Sequence, residues 1–105
     1  MAATFDVLAE PNRRRILELL LVQERPVGDL VDELKVTQPT VSKHLRILRE
    51  AGLVEARSEA QRHLYRVRAE PLRDLYEWLQ PYRQLWEAHL NKPEQHLDAE
   101  FPSSA

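Results

Sequence analysis

The sequence has no cysteine and only two glycines among its 105 residues. Without thiols it forms no disulfide, no thiolate metal site and no cysteine nucleophile. Gly28 and Gly52, 24 positions apart, furnish neither common glycine-rich phosphate loop. No apolar run approaches membrane-spanning length, and the opening MAATFDVLAE lacks the basic-then-apolar pattern of a secretory leader. A cytoplasmic protein with no membrane partner is therefore expected. No serine, histidine and acid fall into a recognisable catalytic grouping, so neither an enzyme, a cofactor nor a metal site is expected.

A strong net charge is also lacking. The total of −2 argues against a nucleic-acid partner until its distribution is read. Residues 35–68 hold eight basic side chains against three acidic ones, a net +5, while residues 1–34 carry −3 and residues 69–105 carry −4. A local basic patch on an acidic body is the electrostatic footprint of a DNA-binding module.

What the chain does have is concentrated between Val27 and Val54. Val27, Leu30, Val31 and Leu34 recur at helical spacing, as do Val41, Leu45 and Leu48. Between the two patterns, Lys35-Val36-Thr37 has room only for a tight turn. Thr37 suits the N-cap of the second helix, Pro39 is tolerated in its first turn, and Gly52 sits where a left-handed residue would stop it. Helix, short turn, helix is a helix-turn-helix, with the second helix as the candidate reader. With its apolar stripe turned inward, Pro39, Ser42, Lys43 and Arg46 point outward, flanked by Gln38 and Thr40. Gln38, Pro39, Thr40, Ser42 and Lys43 are thus the base-proximal candidates, near the end such motifs push deepest into the major groove. An ordinary solvated face is the bland alternative. His44, at the edge of the stripe, reads as a satisfied structural histidine rather than a base contact.

Ala2 to Ala9 reads as a short helix anchored by Phe5 and Leu8, with Val7 less clearly inward. Pro11 opens a second helix whose buried stripe is read as Ile16, Leu17, Leu20 and Leu21. Arg13, Arg14 and Arg15 crowd its start, where a positive cluster opposes the helix dipole. They contact phosphate, pair with the acidic C-terminal helix or are solvated; pairing or solvation is favoured for two of the three. After Gly52, Leu53–Ser58 and His63–Arg68 read as strands joined by a loop of four residues or more, because no Asn-Gly or Gly-X turn is present. A hairpin directly after a helix-turn-helix is a wing. Arg57, Arg62 and His63 at its tip, with Arg46, are the candidates for holding the DNA backbone; a hairpin that merely braces the fold is the alternative.

From Pro71 to about Asn91 a helix carries Leu72, Leu75, Tyr76, Leu79, Tyr82, Trp86 and Leu90 along one wide stripe. Tyr and Trp are common interface anchors, and a short chain with such a helix often completes its core by dimerising. A dimer seam is favoured over a ligand pocket lined by Trp78, Tyr82 and Trp86 beside Pro81. Pro81 should kink the helix or split it near Leu79–Gln80. Residues 1–92 are expected to form the domain, and 93–105 a weakly ordered tail.

Three segments, FDVLAEPNRRRILELL (Phe5–Leu20), TQPTVSKHLRILREAGLV (Thr37–Val54) and RHLYRV (Arg62–Val67), resemble the ArsR/SmtB family of small winged-helix repressors. The resemblance implies a mainly α fold with a two-stranded wing and a long C-terminal dimerisation helix. It implies a homodimer paired through first and last helices, with Phe5, Leu72, Leu75, Leu79, Tyr82, Trp86 and Leu90 at the seam. It further implies a transcriptional repressor on an inverted-repeat operator in double-stranded DNA, released by an unidentified inducer. Thiolate sensors of the family place cysteines where this chain has Lys35 and Thr37. Zinc and nickel sensors use Asp, His and Glu on the last helix; Asp74, Glu77, Glu87 and His89 lie there, but Tyr76 stands where a ligand histidine is expected. The chain thus resembles a cysteine-free subgroup. A winged-helix module that docks another protein through its aromatic last helix is the alternative function.

Overall fold

The computed structural model describes residues 2–90, which run as α1 (Ala2–Leu8), α2 (Pro11–Val22), α3 (Val27–Leu34), α4 (Gln38–Glu50), β1 (Val54–Glu59), β2 (Arg62–Val67) and α5 (Glu70–Leu90). The tail expected at 93–105 lies outside the described residues. Two compact units divide within α5, between Arg73 and Asp74.

The first unit is built around one apolar cluster. Ile16, Leu19 and Leu20 of α2 meet Leu30 of α3, Val41, Leu45 and Leu48 of α4, and Leu53 and Val54 at the start of the wing. Val7 of α1 completes the cluster, and Leu72 packs against it from the first turns of α5. Two inward assignments made from periodicity are corrected. Val7, not Phe5, is the buried apolar residue of α1, beside the buried Thr4, and Phe5 is 42% exposed. In α2, Leu19 takes the inward place expected of Leu21, which is 77% exposed. The run Leu19-Leu20-Leu21-Val22 fits two helical phases equally well, and only packing against α3 and α4 chooses between them.

The turn between α3 and α4 has the expected three residues. Lys35 closes α3 in the left-handed conformation (φ 58°), its N–H donating to the Val31 carbonyl at 2.8 Å. Thr37 caps α4, its Oγ1 accepting from the Thr40 N–H at 3.4 Å. At the other end Gly52 (φ 77°) forms a Schellman closure: its N–H donates to the Arg49 carbonyl and that of Leu53 to the Leu48 carbonyl. Leu48 and Leu53, the pair this closure brings together, are both fully buried.

The wing is tighter than expected. The antiparallel register runs from Val54 opposite Val67 to Glu59 opposite Arg62, so the turn is only Ala60-Gln61. Ala60 accepts a positive φ of 58° to make it. No glycine signals such a turn, which is why it reads as a longer loop from sequence. Arg25, in the loop after α2, pairs with Tyr65 through two backbone hydrogen bonds of 2.8 and 3.1 Å and acts as a one-residue third strand.

α5 is not split at Pro81; the helix is continuous from Glu70 to Leu90. The Pro81 ring removes one backbone donor. Beside that gap the Gln80 side-chain amide donates to the Tyr76 carbonyl at 3.3 Å.

Candidate nucleic-acid interface

α4 divides into two faces. Val41, His44, Leu45 and Leu48 are buried, while Gln38, Pro39, Ser42, Lys43 and Arg46 are exposed. Thr40 is half-buried, and its hydroxyl lies 2.9 Å from that of Thr37, so it is engaged within the cap. Lys43, Arg46 and Arg49 take part in no ion pair among the described residues, so their charges are available to an incoming anion. Arg46 and Arg49, with Glu50, edge an open groove on the second half of the helix. Arg49 is absent from the candidates chosen by pattern. Its signal is the i, i+3 spacing to Arg46, which puts both on neighbouring surface of the helix.

His44 is held from both sides. Arg13 Nη1 lies 3.4 Å from its Nδ1, and Glu10 Oε2 lies 3.4 Å from its Nε2. It is therefore a paired structural histidine, as expected. Arg15 is solvated, one of the expected outcomes, whereas Arg13 and Arg14 are engaged in a way that was not expected. Arg13 Nε donates to the Val7 carbonyl and Arg14 Nη1 to the Leu8 carbonyl, each at 2.7 Å. The two cations satisfy carbonyls at the C-terminus of α1, where positive charge is favoured, even though they sit at the start of α2. Arg15 makes only a surface pair with Glu18 at 3.4 Å.

The wing carries its cations in a lattice of carboxylates. Glu24 accepts from Arg57 Nη2 at 2.7 Å and stands 3.7 Å from Arg66. Glu55 lies 3.3 Å from Arg66 and 3.8 Å from Arg68, which also reaches Glu70 at 3.2 Å. Arg57 lies opposite Leu64, back from the tip, whereas Arg62 and His63 are exposed beside the turn. Arg62 has only a 3.8 Å contact with Glu59. The +5 of the segment is thus strongly local: α4 holds unpaired charge, and the root of the wing holds charge already matched. The Glu24 carboxyl is held below its ordinary range, first by the hydrogen bond from Arg57 and then by the nearby charges of Arg57 and Arg66.

A family profile described as "Bacterial regulatory protein, arsR family" matches residues 10–56, which run from the α2 cap through α4 into β1. The chain is 29% identical over 79 residues to the transcriptional repressor SdpR of Bacillus subtilis, covering 75% of this chain and 88% of that protein. It is 43% identical over 65 residues to an HTH-type transcriptional regulator of Methanocaldococcus jannaschii, covering 61% and 73%. The solved structure of an ArsR-like transcriptional regulator from Rhodococcus superimposes with a TM-score of 0.72 at 26% identity, covering 93% of this chain and 90% of that one.

The chain belongs to the ArsR family. It is a DNA-binding transcriptional regulator on a winged helix-turn-helix.

In this ArsR regulator the positions where thiolate sensors carry cysteine have other work. Lys35 closes α3 and Thr37 caps α4. Among the described residues no three His, Asp or Glu side chains gather as a metal-binding group. On α5, Asp74 and His89 are fifteen positions apart, roughly 22 Å along a helix. No helix among the described residues is long and apolar enough to cross a membrane.

The seam candidates fall into two sets. Leu72, half-buried, packs against the core of its own chain, and Leu75 and Leu79 are half-buried. Phe5, Tyr82, Trp86 and Leu90 are exposed. Tyr76, Trp78 and Leu85 are exposed too. The spacing of Trp78, Tyr82 and Leu85 at i, i+4 and i+7 is the signal that would have added Leu85 to the stripe. The Trp78 and Tyr82 rings lie 5.2 Å apart.

Proposed function

We propose that this ArsR regulator is a homodimeric, sequence-specific repressor in the cytoplasm that binds an inverted repeat in double-stranded DNA. α4 of each protomer enters a major groove, with half-sites about 34–36 Å apart. Gln38, Pro39, Thr40, Ser42 and Lys43 lie against base edges, and Arg46, Arg62 and His63 against the backbone. The observation that carries this reading is the division of α4, whose exposed face joins hydrogen-bonding side chains at its start to unpaired cations along its length. Tyr82, Leu85, Trp86 and Leu90 support a second copy as the partner, because so many exposed aromatic and aliphatic groups on one helix exceed what a soluble monomer ordinarily leaves uncovered. The repressor name of the Bacillus relative supports the direction of regulation. Release by an inducer belongs to the same reading, and its chemistry is not a thiolate-bound metal, since the chain holds no cysteine.

Selection of bound duplexes from a random pool tests this directly. The expected outcome is one enriched motif with two-fold symmetry, bound by two chains. Failure to enrich any motif at low ionic strength would overturn it, and the aromatic α5 would then be read as a surface for docking another protein.

A further inference from the structure

The reading of α4 as the DNA-contacting helix opens a question about what fixes its orientation. Most of the inward face of α4 is aliphatic and carries no directional group, but His44 brings two ring nitrogens into the core and is only 9% exposed. Both are met by the first turn of α2. Glu10 Oε2 stands 3.4 Å from Nε2, and it also receives the Arg13 backbone N–H at 3.2 Å. Arg13 Nη1 stands 3.4 Å from Nδ1.

Arg13 reaches further. Its Nε donates to the Val7 carbonyl at 2.7 Å, and its Nη2 lies 3.4 Å from the Asp6 carbonyl. One guanidinium therefore joins the end of α1, the start of α2 and the inward face of α4. A guanidinium has donors and no acceptor, so it can bond to Nδ1 only through that nitrogen's lone pair, and the tautomer that offers it turns its Nε2–H toward the Glu10 carboxylate.

We infer that Glu10, Arg13 and His44 form a joint through which α1 sets the angle of α4, making Arg13 and His44 positioning residues for DNA reading. The contacts to the ring are long, so they contribute little to stability. Their direction is what matters: Ser42 and Lys43 lie immediately before His44, and a rotation of the ring's neighbourhood re-aims both. A partner or ligand that displaces α1 would then reach the reading residues through Arg13, without touching α4 itself.

Three variants test the joint. Arg13→Lys keeps the charge and one bond but cannot span the Val7 carbonyl and the imidazole together. His44→Leu removes both ring contacts at similar volume. His44→Gln retains one acceptor and one donor, as neutral histidine does. Each is compared with wild type for affinity to the duplex that wild type selects and to random-sequence duplex, with melting recorded to establish that the protein is folded at the assay temperature. Arg13→Lys and His44→Leu should lower the ratio of selected to random affinity about tenfold, with random binding unchanged within about twofold. His44→Gln should keep the ratio, and the double variant should lose no more than His44→Leu alone, as expected for groups acting through one contact.

An unchanged ratio in folded Arg13→Lys, or additive losses in the double variant, would overturn the joint. Should His44→Leu be unfolded, Arg13→Lys and His44→Gln decide by the same ratio. A wild-type protein that selects no sequence overturns the reading of α4 and the joint with it, whereas a selective wild type with equally selective variants overturns the joint alone.

Discussion

The Arg57 guanidinium grips the Glu24 carboxylate at two points, Nη2 to Oε1 at 2.7 Å and Nε to Oε2 at 3.2 Å. The contact fastens β1 to the loop after α2, and the same loop is fastened to β2 by the backbone pair between Arg25 and Tyr65. A cation so engaged is less available to phosphate than one in solvent. Replacing Glu24 with Gln should free Arg57 and relieve the counter-charge on Arg66. Affinity for all duplexes should then rise, and the slope of log affinity against log salt should steepen by about one for each cation that reaches a phosphate. Anisotropy titrations across a salt series read both. An unchanged slope would mean that Arg57 lies out of reach of the backbone and serves only to hold the wing.

The same pair gives a pH dependence with a definite sign. Glu24 has a folded-state pKa lowered chiefly by the Arg57 hydrogen bond. A carboxyl whose pKa is depressed by folding contributes stability above its unfolded pKa, and that contribution fades as pH falls through the folded value. Below about pH 4.5 the unfolded chain takes up the proton first, and folding is weakened. Wild type should therefore lose more stability than Glu24→Gln between neutral pH and acid, and the two curves should converge once Glu24 is protonated in both states. Parallel curves throughout would show that the pair does not hold the wing. Added salt should shrink the difference, because both side chains are partly exposed.

How much of this was legible in the sequence depended on how local the cause was. The three-residue turn, the Thr37 cap and the Gly52 stop are each encoded within a few residues, and all are found where the pattern puts them. The inward face of α4 follows from spacing alone. By contrast, Leu19 and Leu21 are separated by packing and not by pattern, since an unbroken apolar run has no unique phase. The roles of Arg13 and Arg14 depend on the angle between α1 and α2, and the partnership of Glu24 with Arg57 joins positions thirty-three residues apart. For the candidate interface, spacing gives the exposed face of α4, while the pairing of the wing arginines is invisible until the chain is folded.

Two positions of positive φ should respond oppositely to exchange between glycine and alanine. Gly52, at φ 77°, would bring an added Cβ to 3.4 Å from the Pro71 side chain, at the near edge of ordinary van der Waals contact, so Gly52→Ala meets backbone strain rather than a lack of room. It should destabilise the protein by about 1–2 kcal/mol. Ala60, at φ 58° in the wing turn, already bears that strain. Ala60→Gly should stabilise by about 0.5–1 kcal/mol once the added freedom of the unfolded chain is subtracted. Thermal or urea unfolding checks both; a loss on Ala60→Gly would mean that the turn is held by contacts of the alanine methyl.

The exposed residues of α4 should separate into two classes. Ser42→Ala and Lys43→Ala should weaken binding to the selected duplex by about 1–3 kcal/mol per lost base contact and leave random DNA nearly unaffected. Arg46→Ala and Arg62→Ala should weaken both duplexes alike and lower the salt slope by about one each. The difference follows from what each group meets: a base edge differs from site to site, whereas a phosphate is the same everywhere. Equal losses on selected and random DNA for all four variants would remove the base-reading role from Ser42 and Lys43.

Removing the aromatic surface should separate self-association from folding. Trp86 and Leu90 are exposed, so Trp86→Ala with Leu90→Ala takes no residue from the apolar cluster of the first unit. If those residues cover a second copy, each buried anchor lost should cost about 2 kcal/mol of association or more. Sedimentation should then show monomer at concentrations where wild type is dimeric, with α4 unchanged in its affinity for a single half-site. Binding to the full symmetric site should fall far more, because two linked reading heads gain from effective concentration and separate ones do not. A variant that stays dimeric, or that loses the half-site as much as the full site, would exclude these residues as the seam.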